Sequence, residues 1–286
     1  MESTPLETFL QDHDEDAWNK ALDRLRESIH PVDRDGVRIW FSFWPLKLTD
    51  SLRRSQDPLQ TAQELLLYGE YELQKGLDRS VEFLYGSRFW KEIRKAVVRC
   101  CEGVGEPESL SLEDHIRRLG KEIAERQGVE ESLTLGVAAV ALMGLRQVGL
   151  KDFRGNGLTD GKPSPQAPSP EDVIGLRERS PKKRLLDFLR TVDRRYRIVW
   201  DESRDEGRFE AIQGQDIAMA AANDERDYQG FDRRRVEGPV PIQCRNGACG
   251  FCWIGVLGGR RNLSEITDFE RKRLKHFGYH YDEFDG

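Results

Sequence analysis

Three cysteines within nine residues, Cys244, Cys249 and Cys252, are the side chains of this 286-residue sequence best placed to do chemistry. Their C-x4-C-x2-C spacing puts three thiols on one tight loop, and thiolates are soft ligands that hold zinc, copper(I) or iron-sulfur centres. Between them stand Gly247, Ala248 and Gly250. Small residues let the backbone bend closely around a metal centre and aim N–H groups at the sulfurs. Zinc would fit four thiolates, but the x4 gap and the lack of a second C-x2-C pair argue against it. The remaining cysteines, Cys100 and Cys101, are adjacent and read as core packing, because free cysteine behaves as a small buried hydrophobe. An odd, clustered set of this kind is no disulfide framework.

Other candidates are weaker. His276 and His280 are four apart, but Gly278 lies between them and no carboxylate motif accompanies them, so they read as structural or surface groups. There is no Gly-rich phosphate loop after a strand, no nucleophile elbow and no flavin or nicotinamide fingerprint. No substrate site is visible, and no covalent catalysis by the chain is expected.

The elements that must position the cysteine loop follow from periodicity. Tyr196, Ile198 and Trp200 alternate with Arg197 and Val199, a polar turn over 201–207 follows, and 209–212 reads as the returning strand of a hairpin. Residues 215–223 are Ala-rich and helical, and 233–241 is an irregular approach to the loop. Upstream, Trp18, Ala21, Leu22, Leu25 and Ile29 form one helical face that ends at His30-Pro31. Asp57-Pro58 begins a second helix, 77–101 a third, and Ser111 to Asp114 has the form of a capping box for a fourth that stops at Gln127-Gly128. The Ala-rich 130–149 stretch is a fifth. Trp40, Phe41, Phe43, Trp44 and Pro45 form an apolar patch that reads as core between these helices. Residues 155–170 are Gly, Pro, Ser and polar, which suits a linker.

The order hairpin, Ala-rich helix, then PVPIQCRNGACGFCWIGVL resembles the β-grasp [2Fe-2S] ferredoxins of the plant-type and adrenodoxin-like families, over roughly 195–286. The resemblance implies an α+β chain: an all-α domain over 1–153, a flexible linker over 154–180, and a ferredoxin-like domain over 181–286 that lacks its final strand. It implies an electron carrier with a [2Fe-2S] cluster on Cys244, Cys249 and Cys252, and a redox protein as partner. Arg245, Gly247, Ala248 and Gly250 would surround the cluster, and Phe251 and Trp253 would shield it or rim it for docking. A cluster of this kind takes four ligands. No cysteine occurs in the 34 residues after Cys252. The preferred explanation is a sequence that stops short of the fourth ligand; Ser264, at the eleven-residue gap used in succinate dehydrogenase iron-sulfur subunits, Cys100 or Cys101, and no cluster at all are the others. The alternative functions are a cluster-less ferredoxin-fold docking module and an iron-sulfur subunit of a larger dehydrogenase complex.

Composition narrows the remaining classes. The length suits about two domains. The net charge is −6, with 20 Lys and Arg against 27 Asp and Glu over 1–150 and 20 against 19 over 181–286. No face-sized basic excess exists, so nucleic acid is not expected as a partner. The N-terminus is acidic with no apolar stretch, and the longest apolar run, 133–145, is shorter than the roughly twenty residues that span a bilayer. Neither a secretory signal nor a transmembrane segment is expected, which suits a cytoplasmic protein.

Overall fold

The computed structural model describes residues 3–64, 73–103, 110–155, 168–178, 195–200, 208–222, 227–228, 238–239 and 254–276. The protein is α+β, with one antiparallel two-stranded sheet among the described residues. The chain forms two compact units: a helical unit of Met1–Arg54 and Glu72–Glu171, and a C-terminal unit of Ser55–Tyr71 and Asp172–Gly286.

The helical unit is built around one buried helix. Helix α9 (Ser132–Arg154) is apolar on all sides, and Leu135, Val137 to Ala141, Met143 and Leu145 are at most 3% exposed. A helix hydrophobic all round must be covered all round. Helices α1 (Pro5–Gln11), α3 (Pro31–Phe43), α6 (Leu73–Ser80), α7 (Trp90–Glu102) and α8 (Leu112–Gln127) pack against it. By length and composition α9 could cross a membrane, yet its apolar surface is taken up by these neighbours. Each large side chain so buried contributes about 1.5–3 kcal/mol. Helix α2 (Glu15–Leu25) adds Trp18, Leu22 and Leu25 to the same core, capped by the Asp14 carboxylate on the Ala17 N–H at 2.8 Å. Ser111 and Asp114 form the expected capping box of α8, and Gly128 ends it in the left-handed region.

Several expectations change. The His30-Pro31 pair ends one helical run but also starts another. His30 Nδ1 accepts the Val32 N–H at 3.2 Å, Pro31 occupies the first turn of α3, and Trp40 and Phe41 lie on that helix instead of in a connecting patch. Helices α1 and α4 (Leu46–Arg54) were not expected. The single helix expected over 77–101 is two: α6 ends at Ser80, a 3-10 turn spans Tyr85–Phe89, and α7 follows. The cause is Asp33, 2% exposed, whose carboxylate accepts the N–H groups of Tyr85 and Gly86, both at 2.6 Å. Those two amides are lost to any helical ladder. A side chain at Gly86 would also come within 3.0 Å of Asp33 and of the Leu133 carbonyl.

Helix α9 breaks at Gly149 (φ 77°, ψ 160°) and so frees the Leu150 N–H, which the buried Glu7 carboxylate accepts at 2.7 Å. Burial raises the pKa of Glu7, but the N–H groups of Thr4 and Leu150, the Thr4 hydroxyl and the Arg154 charge outweigh it and hold it below the usual 4.5. His115 is also lowered, below 6.5, but here by burial itself, with Asp114 acting against it and the nearby His13 charge in the same direction. In both cases the unfolded chain binds protons more tightly, so stability is lost as pH falls, first below 6.5 and then below 4.5. Urea unfolding at pH 7, 5.5 and 4 is expected to show this decline. Glu7→Gln should weaken the protein at pH 7 and flatten the step from pH 5.5 to 4; a variant with the parent's slope there would refute the assignment.

In the C-terminal unit, β1 (Arg195–Val199) pairs with β2 (Arg208–Ile212), with Ile198 opposite Phe209 and Tyr196 opposite Ala211. One face packs on α11 (Ile217–Ala222), where Phe209, Ala211, Ala220 and Ala221 form a small core with Ile198, Trp200 and Ile217. The expected hairpin and Ala-rich helix are therefore present. Further strands of a β-grasp are not seen among the described residues, and Ile254 to Leu257, past the cysteine loop, are neither strand nor helix. Part of the expected 154–180 linker is helical: α10 spans Pro170–Glu178, started by Ser169-Pro170-Glu171, a cap residue followed by proline and an acidic first turn. Residues 156–167 lie outside the described residues. Helix α5 (Pro58–Glu64) is capped by Asp57, which accepts the Gln60 N–H at 3.0 Å; its expected continuation past Glu64 lies outside them.

Candidate functional site

Cys244, Arg245, Gly247, Ala248, Cys249, Gly250 and Cys252, with Phe251, Trp253 and His280, lie outside the described residues, as does the side chain of His276. What the structure describes is the frame on either side of the loop. Before it, Gly238 sits at φ 151° against the end of α11. A Cβ there would meet the Ala221 carbonyl oxygen at 2.4 Å. The chain is thereby pinned to α11 six residues ahead of Cys244, within a reach of about 20 Å at ~3.3–3.6 Å per residue. Ala221 is fully buried and Trp200 meets Tyr228 at a tilt, with ring centres 5.5 Å apart, so the pin rests on the packed part of the unit. Gly238→Ala is expected to destabilise the C-terminal unit by about 1–3 kcal/mol through this overlap. Hydrogen exchange of the β1 and β2 amides under rising denaturant checks it, and an unchanged opening free energy would refute it.

After the loop, Ile254 and Val256 are exposed, a 3-10 turn spans Arg260–Asn262, and α12 (Asp268–His276) begins at a capping box. The Thr267 N–H donates to Glu270 Oε2 at 2.6 Å, and the Glu270 N–H donates to the Thr267 hydroxyl at 3.2 Å. This helix carries Arg271, Lys272, Arg273 and Lys275 against Asp268 and Glu270, and so is basic. Ser264, on the linking stretch, is exposed.

Cys100 and Cys101 lie near the end of α7 in the helical unit. Cys101 is 6% exposed and belongs to the core. Burial pushes its thiol up to about 11, against the Thr4 hydrogen bond, and burial also raises half-buried Cys100 despite Arg118 Nη2 at 4.0 Å. The thiolate is the form that binds metal, and both sites disfavour it. Among the described residues no group of three His, Cys, Asp or Glu side chains could hold a metal ion.

Periodicity did not reveal the buried polar ties of the helical unit. Arg146 Nε donates to the carbonyls of Leu10 and His13 at 3.0 and 3.1 Å, placing a cation at the end of α1, where the helix dipole favours it. Gln147 donates to the Trp44 carbonyl at 2.7 Å and accepts the Thr49 hydroxyl at 2.7 Å. Arg94 joins Asp78 to the Phe153 carbonyl. These groups satisfy backbone ends and cross-link helices. The sequence hint was polar residues at otherwise apolar helical positions.

No family model, no curated protein and no solved structure matches the chain.

Proposed function

We propose that the chain carries one electron at a time to or from a protein partner, through a [2Fe-2S] cluster held by Cys244, Cys249 and Cys252 in a β-grasp C-terminal domain. The reading rests on one observation: a C-x4-C-x2-C loop spaced by Gly247, Ala248 and Gly250, three thiolates in a donor set suited to iron-sulfur ligation. Hairpin β1–β2 and α11 support it, because they precede the loop in the order the ferredoxin likeness requires. When bound, such a cluster would supply one-electron chemistry. The chain's own residues would ligate it through sulfur, aim backbone N–H groups at it and set its electrostatics.

Anaerobically purified protein should contain about two iron and two acid-labile sulfide per chain. Protein with neither would end this reading. It would favour a cluster-less docking module, the second reading, which is motivated by the absence of cysteine in the 34 residues after Cys252.

Arg245 is next to the first ligand, and its cation should favour the extra negative charge of the reduced centre. Arg245→Ala is expected to lower the midpoint potential by tens of millivolts, the order set by ~1 kcal/mol for a solvated charge pair. Spectroelectrochemical titration measures this, and an unchanged or higher potential would refute the role.

A further inference from the structure

We propose that the rings of His13, Phe9 and His115 form a proton-operated clasp: it holds α1 on the helical unit, and protonation of the His115 imidazole releases α1 while α8 and α9 stay in place.

The sequence of α1 sets this up. Leu6, Phe9 and Leu10 fall at i, i+3 and i+4 and so share one face. Leu6 and Leu10 are buried, and Phe9 packs against the same core. The Phe9 ring meets two imidazoles: its centre lies 4.6 Å from that of His13, at 52°, and 4.6 Å from that of His115 on α8, at 48°. His13 is fixed in turn, with Nδ1 2.8 Å from the Phe9 carbonyl oxygen and its own carbonyl accepting Arg146 Nε at 3.1 Å. His115 is 7% exposed. As a neutral ring it packs like an apolar one; as a cation it is cut off from water.

The charges around it do not make up for that. The neighbouring acid, Asp114, is engaged with the Ser111 N–H at 3.2 Å and the Ser111 hydroxyl at 2.6 Å. From α1 comes His13, and from α9 the Arg146 cation on the His13 carbonyl. Helices α2 and α7 meet α8 through the exposed pairs Arg24–Glu113 and Arg99–Glu122, at 2.6 and 2.9 Å, whose charges cancel. Burial therefore disfavours the imidazolium, Asp114 offsets part of this, and His13 adds to it. Lifting Phe9 off the ring admits water. The opened state then binds the proton near the ordinary 6.5 and the closed state below it, so opening gains a proton and is favoured as pH falls below 6.5. Helix α1 is the element that gives way, with seven residues against 16 in α8 and 23 in α9. A helix that short does not persist alone in water, so release means melting, which amide exchange reads.

Native-state hydrogen exchange on the full chain under rising guanidinium, at pH 7 and 5.5, tests this. The Thr8 and Asp12 amides, bonded to the Thr4 and Thr8 carbonyls at 3.0 and 3.2 Å, should open in a partial step with a smaller denaturant slope than the amides of α8 and α9. The equilibrium constant of that step should rise about five- to tenfold from pH 7 to 5.5, near the limit for one proton over that interval. His115→Phe should remove the rise, and His115→Gln replaces it if the larger ring does not pack. His13→Gln should keep most of the rise, because burial is the larger cause. Amides of α1 that open only together with α9, a partial step indifferent to pH, or a rise that survives loss of His115 would each overturn the proposal. The readout lies within the helical unit and is the same whether or not a cluster is bound.

Discussion

Cys249→Ala is expected to leave the purified protein with less than about a tenth of the parent's iron and acid-labile sulfide, and without its visible absorption. The middle cysteine of C-x4-C-x2-C has a neighbouring ligand on each side, at gaps of four and two residues, so its loss cannot be made up by a small loop shift. Thiolate is the ligand that matches iron in such a centre, and the nearest hydroxyls and carboxylates are harder donors. The same substitution at Cys101 should leave iron content unchanged. That thiol is enclosed in the core of the helical unit, and its elevated pKa keeps it protonated. Iron and sulfide assays on anaerobically prepared parent, Cys249→Ala and Cys101→Ala protein decide the matter. Full retention of iron by Cys249→Ala would remove the basis for the electron-carrier proposal, whereas loss of iron in Cys101→Ala with folding intact would bring α7 into the site. Cys101→Ala should still cost some stability, because a buried side chain is shortened, so circular dichroism belongs in the comparison.

How much could be read from sequence depended on whether the deciding interaction was local. Helices α2 and α8 were readable because each carries its own signals: an apolar face at helical spacing and the caps Asp14 and Ser111. The hairpin was readable because Tyr196, Ile198 and Trp200 alternate and their face has α11 to cover it. Local signals also misled. His30-Pro31 looks the same whether it stops a helix or starts one, and only the His30 Nδ1 contact with the Val32 N–H distinguishes the two. The break between α6 and α7 was unreadable for a different reason. The apolar spacing runs on through it, and the group that takes the Tyr85 and Gly86 amides is Asp33, 52 and 53 residues away. At the candidate site, spacing is what nominates Cys244, Cys249 and Cys252 as ligands, and those residues lie outside the described ones. The close approach of Gly238 to the Ala221 carbonyl, ahead of that stretch, is again non-local, and a glycine in an irregular stretch carries no mark of it.

Asp78→Ala is expected to destabilise the helical unit by about 3 kcal/mol, the low end of the range for breaking a buried ion pair. Arg94 lies at the centre of this effect. Its side chain is 5% exposed, and its guanidinium donates to Asp78 at 2.5 Å and to the Phe153 carbonyl, beside the Phe153 ring at 5.4 Å. Asp78 also accepts the Trp90 indole N–H at 2.7 Å. Removing the carboxylate leaves a buried cation with a carbonyl and a ring but no counter-charge, and an indole N–H without its acceptor. Asp78 itself is 46% exposed, which is why the lower figure applies: water can partly replace what is lost. At about 2–4 °C per kcal/mol for a unit of this size, the melting temperature should fall by about 6–12 °C. Arg94→Leu in the same background should recover much of the loss, because it removes the charge that Asp78→Ala left unpaired. Calorimetry on the two single variants and the double variant yields the coupling directly. If the double variant loses as much as the sum of the singles, the two residues do not act as a pair, and the contact of α6 with α7 must draw its stability from Trp90 and the surrounding apolar core instead.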